Sequence, residues 1–446
     1  MTDNIIKKLD KFFLAFLIIN PFLDVVTGVY IKVLETLSGN NFDTLTIPVT
    51  PSLLVRMLVL VLFAAYALIT LDKKAIGTAI PVGVAWVLSV VGEILFFYSF
   101  ALYTDVQYIA RFAYNLAVIL IYMQVFRRMG IGREELLNKL SDVLCLSLLM
   151  LSATIVVSYM LDMGYTTYAD RYGYRGTRGF FYSGNDITAI LMAGLPVVMC
   201  GFMQRKDLSD RMFVAYDLSS ALTAICLMLI GTKTAFIAVI GAAAVMGACA
   251  IWKLIAFKDR LPIRRCIILV VTMALVFGVM ALLSTESIFG EISASFGQTA
   301  TVMENEGAAT ALLSGRHTKL AKAFAMYKEG GFYTWLFGVG RGTQTVIIEM
   351  DLFEVVIYYG LFGAVAMLWL YVKLGLEFVW KFFKNIRELR YDLMPMAILV
   401  SLALCAGYLI IAGHILFSVT SGFYFSYMLL FGKVMYTEDT EKLSII

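Results

Sequence analysis

Apolar runs near 20 residues long recur along the whole chain and alternate with short polar segments. A run of about 20 apolar residues spans the hydrocarbon core of a bilayer as a helix. The pattern predicts about twelve such helices, at residues 11–29, 51–71, 78–99, 107–126, 143–162, 184–203, 213–231, 234–252, 266–284, 350–372, 394–412 and 415–433. We therefore expect an all-α, polytopic transmembrane bundle that forms one domain over residues 1–446.

The composition agrees with this class of protein. The chain has 446 residues, of which 61% are hydrophobic and 15% are charged, whereas a soluble domain carries about 25% charged residues. The net charge of +4 then reports the topology of the chain rather than an affinity for nucleic acid. The basic flank and apolar stretch at the N-terminus are not followed by a small-residue cleavage signal, which indicates a retained first span.

The basic residues predict the orientation. Most of the 36 lysines and arginines lie on one side of the predicted spans, and such an excess marks the cytoplasmic side, so both termini are expected in the cytoplasm. The other lysines and arginines cluster mainly in two segments on the outer side. These are the connection between the fifth and sixth spans and a large extracellular loop at 285–348 between the ninth and tenth spans. Arg56 and Arg111 lie inside apolar spans, near their outer ends.

The outer connection RYGYRGTRGFFYSGNDITAI, residues 171–190, is rich in arginine and glycine. Arginine binds phosphate through its planar fork of donors, and the glycines allow Arg175 and Arg178 to converge on a diphosphate. Asn185 falls at the start of the sixth helix, where Asn or Asp caps exposed amides. In the alternative interpretation, the arginines form a solvated loop and Asn185 is only a cap.

The long outer loop predicts a second cationic element. Its segment from about Arg316 to Tyr327 has the spacing of an amphipathic helix, which would lie along the membrane surface and present Arg316 at its N-terminal end. The alternative is an interfacial helix whose lysines only attract lipid phosphates. The following FGVGRG contains Arg341 and is typical of a tight glycine turn; it lacks the G-K-[ST] ending of a nucleotide site.

Carboxylates enter the tenth span within two turns, at Glu349, Asp351 and Glu354. Ionisable groups at that depth are by default functional or paired, so either a proton acceptor for a sugar hydroxyl or a structural pair with an arginine is expected. His317 is an alternative base, and His414 is more typical of a capping or interfacial residue. Lys233, between the seventh and eighth spans, either contacts phosphate or sugar or extends to the interface.

No metal site and no cofactor is predicted, because no His, Asp and Glu cluster has ligand spacing and no D-x-D motif occurs. A metal-dependent nucleotide-sugar transferase is therefore disfavoured.

Five short segments together resemble a known family. They are GFFYSGNDITAIL at 179–191, IGTKTAF at 230–236, SGRHTKLAKAF at 314–324, LFGVGRG at 336–342 and EMDLFEVVIYYGLFG at 349–363. In this order, with a long loop before the last helices, they resemble the O-antigen ligase and O-antigen polymerase superfamily of bacterial envelope glycosyltransferases. The chain looks most like the exopolysaccharide and teichuronic acid polymerases of Gram-positive bacteria, over roughly residues 100 to 430.

The resemblance implies a metal-independent, inverting membrane glycosyltransferase of the GT-C type in the bacterial plasma membrane, with its active site on the outer face. The donor would be an undecaprenyl-pyrophosphate-linked oligosaccharide and the acceptor another glycan, with membrane lipids and envelope-assembly proteins as further partners. In the ligases a histidine at the start of the helix after the long loop is the base; here Glu349 has that position, with Asp351 as second choice.

The resemblance also suggests roles for the cations. Arg316 matches the family's loop arginine and Arg178 the arginine before the sixth span, while Arg341 and Lys233 would assist in neutralising the pyrophosphate. A polymerase is expected ahead of a ligase, and a transporter of lipid-linked oligosaccharide is the main rival.

Overall fold

The computed structural model describes residues 2–39, 49–70, 72–98, 101–168, 175–283, 290, 297, 301–342, 348–413, 415–437, 440 and 443, and outside this set lie Arg171, His414, much of the 285–300 segment and the side chain of Arg175. The first nine helices are α1 (Thr2–Ser38), α2 (Pro51–Ile69), α3 (Lys73–Phe97), α4 (Leu102–Met129), α5 (Arg133–Met160), α6 (Gly184–Gln204), α7 (Asp210–Ile230), α8 (Lys233–Phe257) and α9 (Leu261–Leu283). They are followed by α10 (Ala308–Leu313), α11 (Arg316–Glu329), α12 (Gly331–Phe337), α13 (Asp351–Lys384), a 3-10 turn (Ile386–Arg390), α14 (Met394–Ile411) and α15 (Ser421–Met435).

The predicted membrane class is confirmed: eleven of the described helices are long and apolar enough to cross a bilayer. These are α1 to α9, α13 and α14. The expected twelfth span, 415–433, differs from the structure, in which residues 415–420 form turns and α15 has only 15 residues. A helix of that length rises only about 22 Å, so α15 is a buried helix of the bundle rather than a full span.

The protein core is centred on α6. This helix packs against α5, α7, α8, α9, α14 and α15, and glycines let its neighbours approach closely. A Cβ at Gly194 would lie 2.5 Å from the Leu148 side chain, and one at Gly201 would lie 2.6 Å from Tyr216. Small residues at helix contacts are how membrane bundles pack tightly. By contrast, α9 exposes an apolar surface that includes Val270 and Leu275, as expected of a helix facing lipid.

The tenth predicted span is interrupted. Within α13, Gly360 adopts φ 68° and ψ −173°, which breaks the helix and leaves the preceding carbonyls without their helical donors. The glycine loop, which comprises residues 338–342 directly after α12, supplies new donors. Val339 N donates to Ile357 O (3.0 Å) and Gly340 N donates to Tyr358 O (3.1 Å). Non-helical backbone is tolerated at membrane depth when protein satisfies it in this way. The break therefore fixes the glycine loop, and with it Arg341, against α13.

A short antiparallel hairpin covers one end of the bundle. Its strands are β1 (Thr166–Tyr168) and β2 (Arg175–Thr177), and Thr166 pairs with Thr177. A Cβ at Gly176 would lie 2.5 Å from Ile230 O, so the hairpin rests directly on the C-terminal end of α7.

Candidate functional site

Glu349 lies two residues before α13 in a constrained backbone conformation. Its φ is 62°, a left-handed value that is uncommon for a residue other than glycine. The Glu354 carboxylate holds it there, because Glu349 N donates to Glu354 Oε1 (2.9 Å). On the other side the backbone of Gly413 packs closely, since a Cβ there would lie 2.5 Å from the Glu349 carbonyl carbon. The Glu349 backbone, from which the side chain projects, is thus held from both sides.

Two cations from α11 converge on the Glu349 carboxylate. Arg316 Nε lies 3.2 Å from Glu349 Oε2, and Lys319 Nζ lies 2.8 Å from Glu349 Oε1. Arg316, Lys319 and Glu349 together form the Glu349 cluster. The side chain of Glu349 is 27% exposed, so this cluster is open to a ligand. The Arg316–Glu349 contact is a pair of the kind that the structural alternative expected, an arginine bound to one of the carboxylates that enter the tenth span. Lys319, which sequence reasoning left outside the site, shares the same carboxylate.

The predicted amphipathic helix is present as α11. Ala323 and Tyr327 are buried, whereas Phe324 is 44% exposed. Tyr327 donates through its hydroxyl to Trp335 O (2.8 Å), which ties α11 to α12, and burial raises the pKa of this hydroxyl above its ordinary value. This contact orients α11 so that its first turn faces Glu349.

Below the Glu349 cluster lies a buried layer around Tyr108 of α4. The Tyr108 hydroxyl donates to Glu354 Oε2. The guanidinium carbon of Arg341 lies 5.0 Å from the Tyr108 ring centroid and 5.4 Å from that of Tyr358, within the range of cation–π attraction. Arg341 is only 6% exposed. Glu354 links the two layers, since one oxygen binds Glu349 N and the other binds Tyr108.

Two further buried carboxylates, Glu93 of α3 and Asp105 of α4, hold the glycine loop. Asp105 Oδ1 accepts from Arg341 N and Gly342 N, both at 3.1 Å, and Glu93 Oε1 accepts from Ala101 N (3.2 Å). A Cβ at Gly342 would collide with both carboxylates, at 2.3 Å and 2.6 Å. Only a glycine at position 342 therefore lets the glycine loop lie this close to the two carboxylates.

Asp351 has a different environment from Glu349. It is 1% exposed, and its Oδ2 accepts from Ile415 N (2.6 Å) and Leu416 N (2.8 Å). These bonds join the start of α13 to the turns before α15.

The outer connection places its predicted residues at the hairpin. The guanidinium carbon of Arg178 lies 5.6 Å from the Tyr165 ring centroid. Asn185 is in the first turn of α6, as predicted, and its carbonyl accepts from the Tyr408 hydroxyl (3.0 Å). The cap is a different residue from the one expected: Ser183 Oγ accepts from Asp186 N (3.2 Å). The described contacts of Arg178 belong to the hairpin rather than to the Glu349 cluster.

Lys233 and His317 lie near the N-terminal end of α11, where Arg316 joins the Glu349 cluster. Lys233 opens α8, and its ammonium group donates to Ala311 O in α10. This contact anchors α10, which leads directly into Arg316. The His317 Nδ1 is buried and finds no hydrogen-bond partner within the described residues.

The structure thus brings together Arg316, Glu349 and Glu354, with Arg341 one layer below. The sequence analysis did not assign Lys319, Tyr108, Glu93 or Asp105 to the site. A signal was available, because YTDVQY places several polar side chains at one end of an otherwise apolar span. Over the described ranges, no group of three or more His, Cys, Asp and Glu side chains converges as a metal site would require.

Comparison with known proteins identifies the family. The sequence profile described as "O-antigen ligase like membrane protein" matches residues 6–300 and 293–435, which is nearly the whole chain. No curated protein matches the chain. The profile match agrees with the helical membrane bundle and points to a glycan-transferring membrane enzyme. The chain belongs to the family of O-antigen ligase like membrane proteins.

Proposed function

We propose that the protein is an envelope polysaccharide polymerase. It would transfer a glycan from undecaprenyl pyrophosphate to a hydroxyl of another lipid-linked repeat unit, without a metal and with inversion at the anomeric carbon. The observation that carries the proposal is the convergence of Arg316 and Lys319 on Glu349, at the start of the broken helix α13.

The cations supply the main electrostatic contribution in this mechanism. As the bond between the anomeric carbon and the diphosphate oxygen breaks, negative charge grows on the leaving diphosphate. Arg316, Lys319 and Arg341 stabilise that charge, and preorganised donors of this kind commonly provide the largest part of catalysis. Arg178, Arg175 and Lys233 would guide the donor to the site.

Glu349 is the proposed proton acceptor. Its oxygens bind the side chains of Arg316 and Lys319. A bound diphosphate would compete for these two cations and release the Glu349 carboxylate to accept a proton. Glu354 uses both oxygens on Tyr108 and Glu349 N, and Asp351 uses Oδ2 on two backbone amides. The acceptor oxygen attacks the anomeric carbon from the face opposite the diphosphate, and its proton passes to Glu349. Asp351 and then His317 are the less favoured bases.

The mechanism requires a defined orientation in the membrane. We place both termini in the cytoplasm of a bacterial cell and the Glu349 cluster at the outer face of the plasma membrane. Donor and acceptor then meet above the outer leaflet, and the apolar outer surface of the bundle contacts membrane lipids.

Reconstitution tests the proposal directly. The purified protein is incubated with an undecaprenyl-pyrophosphate-linked repeat unit, and product length is measured. Wild type should extend the chain, while Arg316→Ala and Glu349→Gln should each abolish extension without affecting membrane insertion. Glu135→Gln is a matched control, because Glu135 forms an exposed ion pair with Lys139 elsewhere on the surface. Normal polymer from both site variants would reject the assignment.

The same assay separates the alternatives. Transfer to a different acceptor would indicate a ligase, and movement of the lipid-linked oligosaccharide without a new glycosidic bond would indicate a transporter. A transporter is expected to have matching broken helices in two repeated halves. Among the helices that the structure describes, only α13 carries such a break, which favours the enzyme.

A further inference from the structure

Glu93 of α3 and Asp105 of α4 form a pair of carboxyl groups that is fully buried, with 0% exposure of both residues. Their positions are marked by Gly342, because a Cβ there would lie 2.3 Å from Glu93 Oε1 and 2.6 Å from Asp105 Oδ2. The two side chains also act directly on each other, through a side-chain hydrogen bond and through their charges. The glycine loop therefore rests on two carboxyl groups that are in contact.

The four oxygens of this pair have unequal surroundings. Asp105 Oδ1 accepts from Arg341 N and Gly342 N, both at 3.1 Å. Glu93 Oε1 accepts from Ala101 N (3.2 Å). The other two oxygens, Glu93 Oε2 and Asp105 Oδ2, are buried and meet no donor among the described residues. Buried acceptors without donors are rare and costly, so their presence on two adjacent carboxyl groups requires a physical cause.

The charges around the pair favour one negative group rather than two. The cation that acts on Asp105 is Arg341 of the glycine loop. From α13, Tyr359 lies close enough to interact with the charge of Asp105, and from α12, Tyr333 packs against Gly92. A tyrosine hydroxyl is neutral near neutral pH. Two ionised carboxylates beside one arginine would leave an excess negative charge in a buried place, where like charges in contact repel strongly.

A single proton on the pair accounts for these observations together. It removes one negative charge, since two carboxyl groups in close contact cannot both ionise. With the proton on Glu93 Oε2, that atom becomes a hydroxyl that needs no donor and can itself donate to Asp105 Oδ2. Glu93 Oε1 remains the acceptor for Ala101 N. The two amide donors on Asp105 Oδ1 favour the ionised form of Asp105, so the proton belongs on Glu93.

We infer that Glu93 is protonated and donates to an ionised Asp105, and that this shared proton holds the glycine loop in place. Asp105 binds the backbone amides of Arg341 and Gly342, so the geometry of the pair sets the position of Arg341. Loss of the proton would make the two carboxylates repel each other and displace the loop. Glu93 is therefore a positioning residue that acts through the glycine loop, and its link to glycan transfer rests on the proposed function.

Infrared spectroscopy of the full-length protein in lipid nanodiscs detects the proton directly. The C=O stretch of a protonated carboxyl is separate from the bands of a carboxylate. At neutral pH, the difference spectrum of wild type and Glu93→Gln should therefore contain a protonated-carboxyl band that shifts in D2O. The control Glu135→Gln makes the same change at an exposed carboxylate paired with Lys139, and it should give carboxylate bands. Carboxylate bands alone for Glu93→Gln would mean that Glu93 is ionised and would overturn the inference.

Thermal unfolding at two pH values tests what the proton does. The amide in Glu93→Gln can accept from Ala101 N and donate permanently to Asp105. We expect its Tm to equal that of wild type at about pH 6 and to exceed it at about pH 9, where a proton shared by buried carboxyl groups is lost. Glu93→Ala removes both bonds and should have a lower Tm than wild type at about pH 6.

Two results of the unfolding experiment would overturn the inference. One is a Tm of Glu93→Gln as low as that of Glu93→Ala, which would mean that the protein needs an ionised group at this position. The other is an identical pH dependence of Tm in wild type and Glu93→Gln, which would mean that no proton on Glu93 supports the fold.

Glycan transfer provides the functional measurement. Between the same two pH values, the ratio of wild-type to Glu93→Gln activity should fall roughly tenfold or more, because only wild type loses the position of Arg341 and small misplacements of reacting groups are costly. A constant ratio would overturn the positioning role. Absence of transfer by wild type at both pH values, with the infrared band and the Tm difference present, would instead count against the proposed polymerase alone.

Discussion

Glu349 and Arg56 are charged residues that the bundle places in opposite ways. Arg56 is buried and bound to Asp24, Asn20 and Thr420. Its guanidinium group therefore links α1, α2 and the turn before α15. Glu349 lies at a partly open position, where its partners are cations able to bind an incoming anion. Burial and the identity of the partners, rather than residue type, distinguish the structural charge of Arg56 from the charges of the candidate site.

The Arg56 pair should be essential to stability. Arg56→Met leaves the Asp24 carboxylate buried without its partner, which should destabilise the protein by about 3–5 kcal/mol. Thermal unfolding in detergent measures the loss. The double variant Arg56→Met with Asp24→Leu should recover most of it, because no uncompensated charge remains. A single variant as stable as wild type would contradict the structural assignment.

The Tyr108 hydroxyl should matter for activity more than for folding. Tyr108→Phe keeps the ring that stacks with Arg341 but removes the donor to Glu354, so Glu354 holds Glu349 less firmly. We expect transfer to fall roughly 10- to 100-fold, as small misplacements of reacting groups do. Tyr359→Phe is the control, since its hydroxyl has no partner within the described residues; equal activity of the two variants would argue against this role.

At the scale of the element, the decisive feature is the break in α13. Gly360 interrupts the helix, the freed carbonyls bind Val339 and Gly340, and the glycine loop places Arg341 over Tyr108. The site therefore depends on two elements that complete each other's backbone hydrogen bonds. A continuous helix would leave the loop without these acceptors.

Replacing the glycine at the break should be damaging. A Cβ at Gly360 would lie 2.3 Å from the Leu336 backbone, and its φ of 68° strains any other residue. Gly360→Ala should cost about 1–3 kcal/mol in strain and abolish transfer by moving Arg341. Gly375→Ala is the matched control in the same helix, because a Cβ there meets open space. It should be neutral or stabilise the protein by about 0.5–1 kcal/mol.

Loss of transfer in Gly360→Ala without a fall in Tm would still support a positioning role for the break. Full activity would mean that the break is not needed to place Arg341.

At the scale of the whole molecule, access of a lipid-linked substrate depends on the end of the bundle at which the Glu349 cluster lies. Because the cluster is built from the loop after α9 and the start of α13, all of its parts lie at one end of the bundle. The basic loops at the opposite end, including Lys258 and Arg260 between α8 and α9, support the proposed outer location of the cluster.

Cysteine labelling tests the orientation. In a background without the six native cysteines, Lys322→Cys on α11 should react in intact cells with a membrane-impermeant maleimide. Lys258→Cys should react only after permeabilisation. Both lysines are exposed, so accessibility alone cannot explain a difference. The reverse pattern would place the cluster in the cytoplasm and rule out the proposed reaction at the outer leaflet.

The sequence by itself determined the membrane class and the approximate positions of the spans, and it singled out several residues of the candidate site. Hydropathy is a local property, and lipid accepts only segments that satisfy their own backbone, so span positions follow from runs of residues alone. Glu349 also stood out, because charge at membrane depth is expensive against an apolar background. Arg316 stood out for another reason, as the cation at the start of a predicted amphipathic helix.

Only the tertiary structure decided which charges pair and which remain available. Arg56 and Asp24 are 32 residues apart, and Arg316 and Glu349 are 33 apart, so no local pattern predicts their contact. The break at Gly360 was likewise hidden, since an isolated glycine in an apolar run is common, and its left-handed conformation depends on the loop that docks against it. Pairing in a bundle depends on helix packing, and helix packing joins residues that are distant in the chain.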